Sequence, residues 1–280
     1  MHGAGNDFIV VDALKDNYTE RLLAVPDVVM RLCDRHFGIG ADGLILILPS
    51  EVGDLKMRIL NPDGSEAEMC GNGIRCFAKY AFEHGLIGKS SLRVETLAGV
   101  ICPELRLQEG RVVSVSVDMG KPRLTRAEIP MTGPGEDRAV AFDLSAQGSA
   151  FKATAVSMGN PHCVIFTDDP EAVQLESIGP AIENHPFFPR KTNVEFVQVI
   201  APDRLKMLVW ERGAGRTMAC GTGACAALVA AVLNGLAERT ARVLLPGGEL
   251  EINWRSDDRL IMTGPATEVF TGSLKAQSSS

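Results

Sequence analysis

Two cysteines in this sequence begin the same short motif, a cysteine followed by Gly-x-Gly. Cys70 begins Cys-Gly-Asn-Gly, and Cys220 begins Cys-Gly-Thr-Gly 150 positions further along the chain. A deprotonated cysteine is both a base and a nucleophile, and flanking glycines allow the backbone to approach a ligand closely. The paired motifs therefore indicate thiol chemistry, either proton transfer or a redox reaction, in which Cys70 and Cys220 act together.

Each cysteine motif is followed by a stretch that predicts a helix. Residues 74–84 and 224–236 contain helix formers with no breaker before Gly85 and Gly235, which stand where a helix C-terminus favours glycine. We therefore expect each cysteine at a helix N-terminus. The unpaired N–H groups and the positive dipole end found there bind a carboxylate. They also lower the pKa of a nearby cysteine from about 8.5 toward the physiological range.

The two cysteine motifs are part of a longer internal repeat. Leu55-Lys56-Met57 recurs as Leu205-Lys206-Met207, at the same offset as the two cysteines. A shared order of fragments at a shared offset predicts a duplicated chain with two homologous halves. The further fragments that recur at nearly this offset are residues 5–10 and 159–164, Asp42 and Asn193, and Arg93-Val94 and Arg242-Val243.

Runs rich in valine, isoleucine and leucine predict the strands of each half. They are bounded by Gly, Pro, Asn or Asp and lie at residues 8–11, 44–48, 112–117 and 194–200. We expect each half to be a strand-rich α+β domain with one principal helix. The predicted first domain is 1–119, the second is 120–264, and residues 265–280 return to the first domain. The serines at 278–280 are expected to fray.

Composition and charge exclude several function classes. The chain has a formal net charge of −7, and its basic residues are scattered singly, whereas a nucleic-acid surface needs them clustered. The longest apolar stretch, residues 224–233, is far shorter than the roughly 20 residues that span a bilayer. Met1-His2-Gly3 does not open a leader peptide. We therefore expect a cytoplasmic protein that binds neither nucleic acid nor membrane.

The cysteine content argues against a disulfide scaffold or a metal site. The sequence has 7 cysteines, an odd number, and none of them stands in a C-x-x-C motif. The spacings from Cys70 to Cys76 and from Cys220 to Cys225 also differ from those of zinc knuckles. Reduced thiols in an enzyme without a metal are the expectation.

A duplicated chain would bring both helix N-termini to one cleft by packing its halves about a pseudo-twofold axis. The two thiols would then face each other across the ligand, one as thiolate base and one as thiol acid. Inversion of a Cα centre needs such a pair, and the helix N-termini would stabilise the charge that develops. A cofactor-independent amino-acid epimerase fits best. A redox-active dithiol is the competing interpretation, and neither motif has the Gly-Lys-Ser/Thr ending of a phosphate-binding P-loop.

Eight motifs, spread over almost the whole chain, resemble those of the diaminopimelate epimerase family. The Cys-Gly-x-Gly pair alone is typical of a wider superfamily that includes proline racemases. Asn160-Pro161-His162 and the Glu-Arg-Gly-Ala-Gly segment at 211–215 narrow the resemblance to this family. The motifs are residues 2–8, 38–43, 61–65, 69–76, 158–162, 192–193, 210–215 and 219–225.

The resemblance implies interconversion of LL- and meso-2,6-diaminopimelate, without cofactor or metal, in lysine and peptidoglycan precursor synthesis. It implies two similar domains, each a curved, mostly antiparallel sheet wrapped around a central helix, with the active site in the cleft between them. Cys70 and Cys220 would be the acid/base pair, with His162 as the partner of Cys70 and Glu211 as the partner of Cys220.

The resemblance also implies a set of substrate-binding residues. Backbone N–H groups would bind the reacting carboxylate, and they belong to Gly71, Asn72, Gly221 and Thr222. Other polar side chains would hold the amino and carboxylate groups, chiefly those of the distal centre, and these are Asn6, Asn61, Asn160, Asn193 and Arg212. An asparagine both donates and accepts, which suits a zwitterion, and an arginine grips a carboxylate with two hydrogen bonds.

Two features of the sequence differ from many members of this family. Relatives commonly have several residues before the Met-His-Gly segment, so we expect a short edge strand in the first sheet. Gly43 stands where some relatives carry glutamine, so a substrate contact from that side chain is not expected.

Three alternatives stay open beside the epimerase, and a homodimer is open as well. A proline-racemase-like enzyme binds no distal amino-acid group, so the five distal side chains would have no role. A non-catalytic amino-acid-binding protein would not need both Cys70 and Cys220. A redox-active dithiol protein would need the two thiols to form a disulfide.

Replacing either thiol tests the two-base reaction. Cys70→Ala or Cys220→Ala should abolish epimerisation, because a proton removed from one face of Cα must be replaced from the other. The measurement is turnover of LL-diaminopimelate to the meso isomer by each variant and by the unmodified chain. Near-normal turnover by Cys70→Ala would contradict the two-base reaction.

Overall fold

The computed structural model describes residues 1–15 and 25–273, which form a mixed α+β fold with four helices. The two helices predicted from the cysteine motifs are confirmed, and each begins directly after its cysteine. Two shorter helices were not predicted from the sequence. The helices are α1 (Pro26–Cys33), α2 (Gly71–Glu83), α3 (Leu175–Glu183) and α4 (Gly221–Leu233).

The first of two sheets has seven strands and lies in the N-terminal half. Its order is β1-β2-β3-β4-β6-β7, with β5 paired to β4. The predicted strands at 8–11 and 44–48 are confirmed as β2 and β3, and the edge strand β1 has only two residues. The bounds are β1 (His2–Gly3), β2 (Asn6–Asp12), β3 (Gly43–Leu48), β4 (Leu55–Leu60), β5 (Glu66–Ala67), β6 (Val94–Thr96) and β7 (Gly99–Ile101).

The second sheet has eleven strands in the order β10-β11-β12-β13-β14-β16-β17-β18-β9-β8, with β15 paired to β14. The predicted strands at 112–117 and 194–200 are confirmed as β9 and β13. The bounds are β8 (Glu104–Gln108), β9 (Arg111–Asp118), β10 (Phe142–Ala146), β11 (Ser149–Ser157), β12 (Pro161–Phe166), β13 (Asn193–Ala201), β14 (Arg204–Glu211), β15 (Gly215–Arg216), β16 (Thr240–Leu245), β17 (Gly248–Trp254) and β18 (Leu260–Gly264).

The two halves share one topology. In the first half β2 is parallel to β3 and β4 is parallel to β6, and in the second half β12 is parallel to β13 and β14 is parallel to β16. The other strand pairs of the described residues are antiparallel. The central helix of each half follows an antiparallel hairpin and a two-residue strand: α2 comes after β3, β4 and β5, and α4 comes after β13, β14 and β15. The predicted pair of similar, mostly antiparallel domains is therefore confirmed.

The strand register corrects one step of the sequence alignment. Phe8 of β2 pairs with Gly43 of β3, and His162 of β12 pairs with Asn193 of β13. Gly43 is therefore the structural counterpart of Asn193, and the alignment of Asp42 with Asn193 is wrong by one residue. The loops before these strands have different lengths, so sequence similarity alone could not place this pair.

The two central helices form the cores of the halves. Helix α4 is rich in alanine and is buried from Gly223 to Ala231, as expected for a helix that is apolar on all sides. It contacts β11 to β14, β16 and β17, whereas α2 contacts β1 to β4 and β9. Each sheet thus curves around one helix. No helix among the described residues has the length and apolar character needed to cross a membrane.

Strand β3 is buried on both faces, which explains its uninterrupted apolar sequence. Ile45 and Ile47 pack in the core around α2, whereas Leu44 and Leu46 pack in an outer core with α1. In the second half, β13 likewise lies between α4 and α3. The short helices α1 and α3 therefore cover the outer faces of the two sheets.

The hairpin of β8 and β9 connects the two halves. Strand β9 pairs with β18, with Val117 opposite Met262, yet Val112 and Val115 pack in the core around α2. The backbone of Thr267 also pairs with that of His2. By hydrogen bonding β8 and β9 belong to the second sheet, whereas by packing β9 belongs to the core of the first half. The predicted boundary at residue 119 therefore stays a prediction. Residues 274–280, including the predicted serine tail, lie outside the described residues.

The loop after β1 fastens the N-terminal half to the second half. Ala4 is buried in the core around α4, and a Cβ atom at Gly5 would lie 3.1 Å from Cβ of Met218. A Cβ atom at Gly247 would overlap the carbonyl oxygen of Ala4. Glycine at position 247 therefore permits the close approach of the two halves.

Gly247→Ala should weaken this contact. The added methyl group would overlap backbone rather than a flexible side chain, and overpacking of this kind costs about 1–3 kcal/mol. The free energy of unfolding, measured with urea, should fall by that amount. Gly88→Ala is the matched control, because a Cβ atom there has nothing within 4 Å, and it should change stability by less than about 0.5 kcal/mol. Equal stability of the two variants would contradict the close approach.

Candidate active site

Cys70 and Cys220 are the N-cap residues of α2 and α4. Each has an extended backbone, and its sulfur accepts a hydrogen bond from the third helical residue. The distances from Gly73 N to Cys70 Sγ and from Gly223 N to Cys220 Sγ are both 3.4 Å. The prediction that both cysteines lie at helix N-termini is confirmed. The N–H groups and the helix dipole favour negative charge on each sulfur.

Burial opposes this effect at both thiols. Burial raises the pKa of Cys70 above its usual value, although the backbone N–H groups of the first helical turn lower it. Burial also raises the pKa of Cys220 well above its usual value, and the negative charges of Glu211 and Glu195 raise it further. The expected lowering of both pKa values is therefore wrong, because the loss of hydration outweighs the helix N-terminus.

Met262 of β18 lies between the two helix starts. A Cβ atom at Gly71 would lie 2.7 Å from Cε of Met262, and one at Gly221 would lie 2.9 Å from its Sδ. A larger residue at either position would have to displace the methionine. Both helix N-termini therefore approach one side chain, and the two cysteine motifs meet at a single interface between the halves.

A hydrogen-bonded chain of side chains surrounds Cys70. Oδ1 of Asn6 lies 3.8 Å from Cys70 Sγ and accepts a hydrogen bond from Nδ2 of Asn72 at 3.2 Å. Nδ2 of Asn6 donates to Asp42 at 2.7 Å, and Asp42 is ion-paired with Arg35 at the surface. The structure thus brings the predicted residues Asn6 and Asn72 to Cys70. We call Asp42, Asn6, Asn72 and Cys70 the Cys70 chain.

A second chain leads to Cys220. Oγ1 of Thr222 lies 3.5 Å from Cys220 Sγ, and Nδ2 of Asn160 donates to Thr222 Oγ1 at 3.2 Å. Oδ1 of Asn160 lies 3.1 Å from Nε2 of His162, whose Nδ1 lies 2.6 Å from Oε1 of Glu195. We call these five residues the Cys220 chain. The hydrogen bonds of residues 1–15 and 25–273 include none between His162 and Cys70, so that partnership stays a prediction.

Glu211 lies at the end of β14, close to both thiols. Burial is the largest cause of the raised pKa values of Cys70 and Cys220, and the negative charge of Glu211 raises both further. Its Oε1 accepts a hydrogen bond from Oγ1 of Thr217 at 2.5 Å. Over the described part of the chain, no hydrogen bond joins Glu211 to Cys220, so its predicted partnership with that thiol also stays a prediction.

The other three predicted side chains lie outside the two chains: Asn61 in a turn after β4, Asn193 at the start of β13 and Arg212 directly after β14. Nδ2 of Asn61 donates to a serine hydroxyl within its own turn at 2.9 Å. Asn193 is buried, donates to the Pro161 carbonyl at 2.9 Å and accepts the backbone N–H of Arg212 at 2.9 Å. The exposed guanidinium of Arg212 donates to the Arg190 carbonyl at 3.1 Å. Asn193 therefore positions the Arg212 segment against β12.

Two buried charged residues beside the site, Arg75 and Glu195, were not predicted. Arg75 donates to Oδ1 of Asn72 at 2.9 Å and to the carbonyls of Gly71 and Pro265 at 3.0 and 3.2 Å. It therefore joins the start of α2 to the chain after β18. A charged residue inside an otherwise apolar run is the sequence signal that identifies both.

The arrangement suits proton transfer at a carbon next to a carboxylate. Two thiols stand at helix starts that meet at one interface, and the first-turn N–H groups are suitable donors to an anion. Burial raises the pKa of Cys76 and of Cys225 to about 12, so these neighbouring cysteines stay protonated. Within the described ranges, His, Cys, Asp and Glu side chains form no group of three or more suited to a metal ion.

Sequence comparisons identify relatives over nearly the whole chain. The family model described as Diaminopimelate epimerase matches residues 1–125 and 154–269. A protein named diaminopimelate epimerase from Pelotomaculum thermopropionicum is 58% identical over 97% of this chain and 96% of its own length. One of the same name from Heliobacterium modesticaldum is 55% identical over 98% of each chain.

Two solved structures resemble this chain at low sequence identity. At that identity the likeness shows a shared fold and no more. A hydroxyproline epimerase from Agrobacterium vitis has a TM-score of 0.65 at 16% identity, covering 94% of this chain and 86% of its own. A PhzF-family phenazine biosynthesis protein from Bacillus anthracis has a TM-score of 0.65 at 15% identity, covering 95% and 92%. By its sequence matches, this chain belongs to the diaminopimelate epimerase family.

Proposed function

We propose that this protein interconverts LL- and meso-2,6-diaminopimelate by transferring a Cα proton between Cys70 and Cys220. The meeting of two cysteine-capped helices at Met262 is the observation that carries the proposal, and family membership supports the substrate. A thiolate removes the proton from one face of Cα, and a thiol returns one to the other face. One turnover exchanges the protonation states of the two cysteines, with no change in oxidation state.

The helix starts stabilise the charge that develops in this reaction. Backbone N–H groups of Gly71 and Asn72 on α2, and of Gly221 and Thr222 on α4, bind the carboxylate of the reacting centre. As the Cα proton leaves, negative charge moves onto that carboxylate, and the dipoles of both helices favour it. We propose that this stabilisation takes the place of a cofactor.

Substrate binding must help one thiol to ionise, because burial raises the pKa of both Cys70 and Cys220. The substrate brings an ammonium group on the reacting carbon. A positive charge within a few ångströms favours the thiolate form. Ionisation is therefore coupled to binding, and the empty site holds mostly protonated cysteines at neutral pH.

Further polar residues are proposed to hold and partner the reacting groups. Asn6 and Asn160 each belong to a chain that ends on a thiol, so their amides lie beside the reacting centre. His162 and Glu211 remain the proposed partners of Cys70 and Cys220 in proton transfer.

The distal amino-acid group needs its own site. Arg212 is exposed, and its planar guanidinium can hold a carboxylate with two hydrogen bonds. Asn193 orients the Arg212 segment, and Asn61 completes this set. We place the reaction in the cytoplasm, in lysine and peptidoglycan precursor synthesis. A homodimer and the domain boundary at residue 119 remain to be tested.

Exchange of the Cα proton tests the proposed function directly. Incubation of LL-diaminopimelate in deuterated water should give meso product with deuterium at the inverted Cα, because solvent equilibrates with the thiol that donates. Proton NMR measures this loss of the Cα signal. Proline, which has no distal amino-acid group, is the control substrate. Absence of exchange with diaminopimelate, or equal exchange with proline, would contradict the proposal.

The pH dependence of kcat/KM should reflect the raised pKa values of the two thiols. One thiol of the free enzyme must ionise, and a raised pKa means that its ionised fraction at neutral pH is below that of a free cysteine. The value of kcat/KM should therefore still be rising at a pH of about 8.5. The acidic limb of kcat should lie at lower pH, since the bound ammonium group favours the thiolate. A kcat/KM that is level from neutral pH upward would contradict protonated resting thiols.

A further inference from the structure

Glu195 is a fully buried carboxylate beneath the first turn of α4. Its side chain is 0% exposed, and a Cβ atom at Gly223 would lie 2.8 Å from its Oε1. Oε1 pairs with Nδ1 of His162 at 2.6 Å. The other oxygen, Oε2, is buried without a hydrogen-bond partner. An incompletely paired buried carboxylate is costly, which indicates a role beyond packing.

The Cys70 and Cys220 chains are equivalent near the thiols and differ further away. Asn6 and Asn72 in the first half correspond to Asn160 and Thr222 in the second, next to their cysteines. Beyond the asparagine the equivalence ends. By strand register, Phe8 occupies the position of His162 and Ile45 that of Glu195, and Ile45 lies 3.3 Å from a Cβ atom built at Gly73. The buried His162–Glu195 pair is thus found in one half alone.

In the first half, the Asp42 carboxylate determines the direction of the hydrogen bonds at Cys70. The Asp42 carboxylate is ion-paired with Arg35 and therefore accepts hydrogen bonds. Asn6 must turn its NH2 group toward Asp42, which points its carbonyl oxygen at the Cys70 sulfur. An acceptor facing the sulfur stabilises the S–H form of Cys70.

We propose that Glu195 is a positioning residue, which holds His162 as an Nε2–H donor and so orients Asn160 and Thr222 toward Cys220. This inference rests on the proposed function, since it concerns the base in the same reaction. Nε2 faces the carbonyl oxygen of Asn160, so it must carry a hydrogen. One further proton lies between Nδ1 and Oε1. Whether that proton sits on nitrogen or oxygen, the pair is neutral overall, as its burial demands.

The orientation passes along the chain to the sulfur. With its carbonyl oxygen held by His162, Asn160 donates its NH2 group to Oγ1 of Thr222. The Thr222 hydroxyl then has its own hydrogen available for Cys220, 3.5 Å away. A donor facing the sulfur stabilises the thiolate of Cys220. The two chains thus end with opposite polarity, an acceptor at Cys70 and a donor at Cys220, which suits a reaction between one thiol and one thiolate.

Other titratable groups face this pair and must be considered with it. Burial raises the pKa of Glu195, His162 lowers it, and Glu211 on β14 raises it. Burial and the charge of Glu195 raise the pKa of Cys163 on β12, so this neighbour stays protonated. The negative charge of Glu195 raises the pKa of Cys220, but the proton that Glu195 shares with His162 offsets this charge. The remaining effect of the pair on Cys220 is the direction of the hydrogen bonds.

Nitrogen NMR of the histidine rings in the full-length protein tests the proton arrangement without using activity. Nε2 of His162 should carry a hydrogen in the unmodified protein, because it faces the carbonyl oxygen of Asn160. Glu195→Gln should keep that proton, because the glutamine NH2 group can donate to Nδ1. Glu195→Ile introduces the residue type of the equivalent position 45 and should release His162 to change tautomer. A deprotonated Nε2 in the unmodified protein would overturn the proposal.

Alkylation by iodoacetamide, followed by peptide mass analysis at several pH values, reports the ionisation of each thiol. Glu195→Ile should raise the pH midpoint of Cys220 alkylation by about one unit and lower kcat about tenfold, with KM little changed. Glu195→Gln should stay within about threefold of the unmodified enzyme in kcat. His162 is also the proposed partner of Cys70, so the midpoints of both thiols are measured, and the larger shift in Glu195→Ile should be that of Cys220. Ile45→Val is the matched control in the other half and should alter neither midpoint.

A folded Glu195→Ile variant with an unchanged Cys220 midpoint and kcat would overturn the positioning role. Glu195→Gln, if it shifted the midpoint as much as Glu195→Ile, would show that charge rather than hydrogen-bond direction matters, and would also overturn it. If Glu195→Ile does not fold, the ring nitrogen signals of the unmodified protein and of Glu195→Gln still show whether Nε2 of His162 carries the hydrogen that the proposal requires. Deuterium exchange by the unmodified enzyme tests the proposed function separately, so the two failures are distinguishable.

Discussion

The burial of two cysteine-capped helix N-termini against one another is the constraint on which the rest of the structure depends. A helix start carries N–H groups that need acceptors, and here the sulfurs of Cys70 and Cys220 accept one each. The close approach requires glycine at positions 71 and 221, where Met262 fills the remaining space. Each helix can be buried this deeply because a sheet curves around it. The same burial raises the pKa of both thiols above the usual value for a cysteine.

Duplication supplies two equivalent thiols, and at the start of each proposed turnover one of them must be ionised and the other protonated. The two halves differ outside the cysteine motifs, in the residues that orient the asparagine next to each motif. Asn6 is oriented by a surface carboxylate, Asp42, whereas Asn160 is oriented by the buried pair of His162 and Glu195. Symmetric helices thus carry asymmetric hydrogen-bond chains. Arg75 adds to the asymmetry, because its guanidinium lies beside the start of α2.

Much of the fold follows from local sequence, and the misses have physical causes. The helices α2 and α4 were predictable because each runs from a cysteine cap to a glycine, and Gly85 and Gly235 indeed have positive φ values of 72° and 70°. Strand β3 was predictable as an apolar run. The short helices α1 and α3 were missed, since they owe their stability to packing on the outer faces of the sheets. The pKa of each cysteine was predicted in the wrong direction, because burial is a tertiary property.

The sequence by itself determined the duplication, the two helix starts, the cysteine pair and the family, because these depend on residue type and spacing along the chain. Only the tertiary structure decided how far each thiol is desolvated, that Gly43 rather than Asp42 corresponds to Asn193, and that Glu195 lies beneath Gly223 and pairs with His162. Glu195 and His162 are far apart in sequence and lie on neighbouring strands. Their contact exists because parallel pairing of β12 and β13 places both side chains on the face that packs against α4.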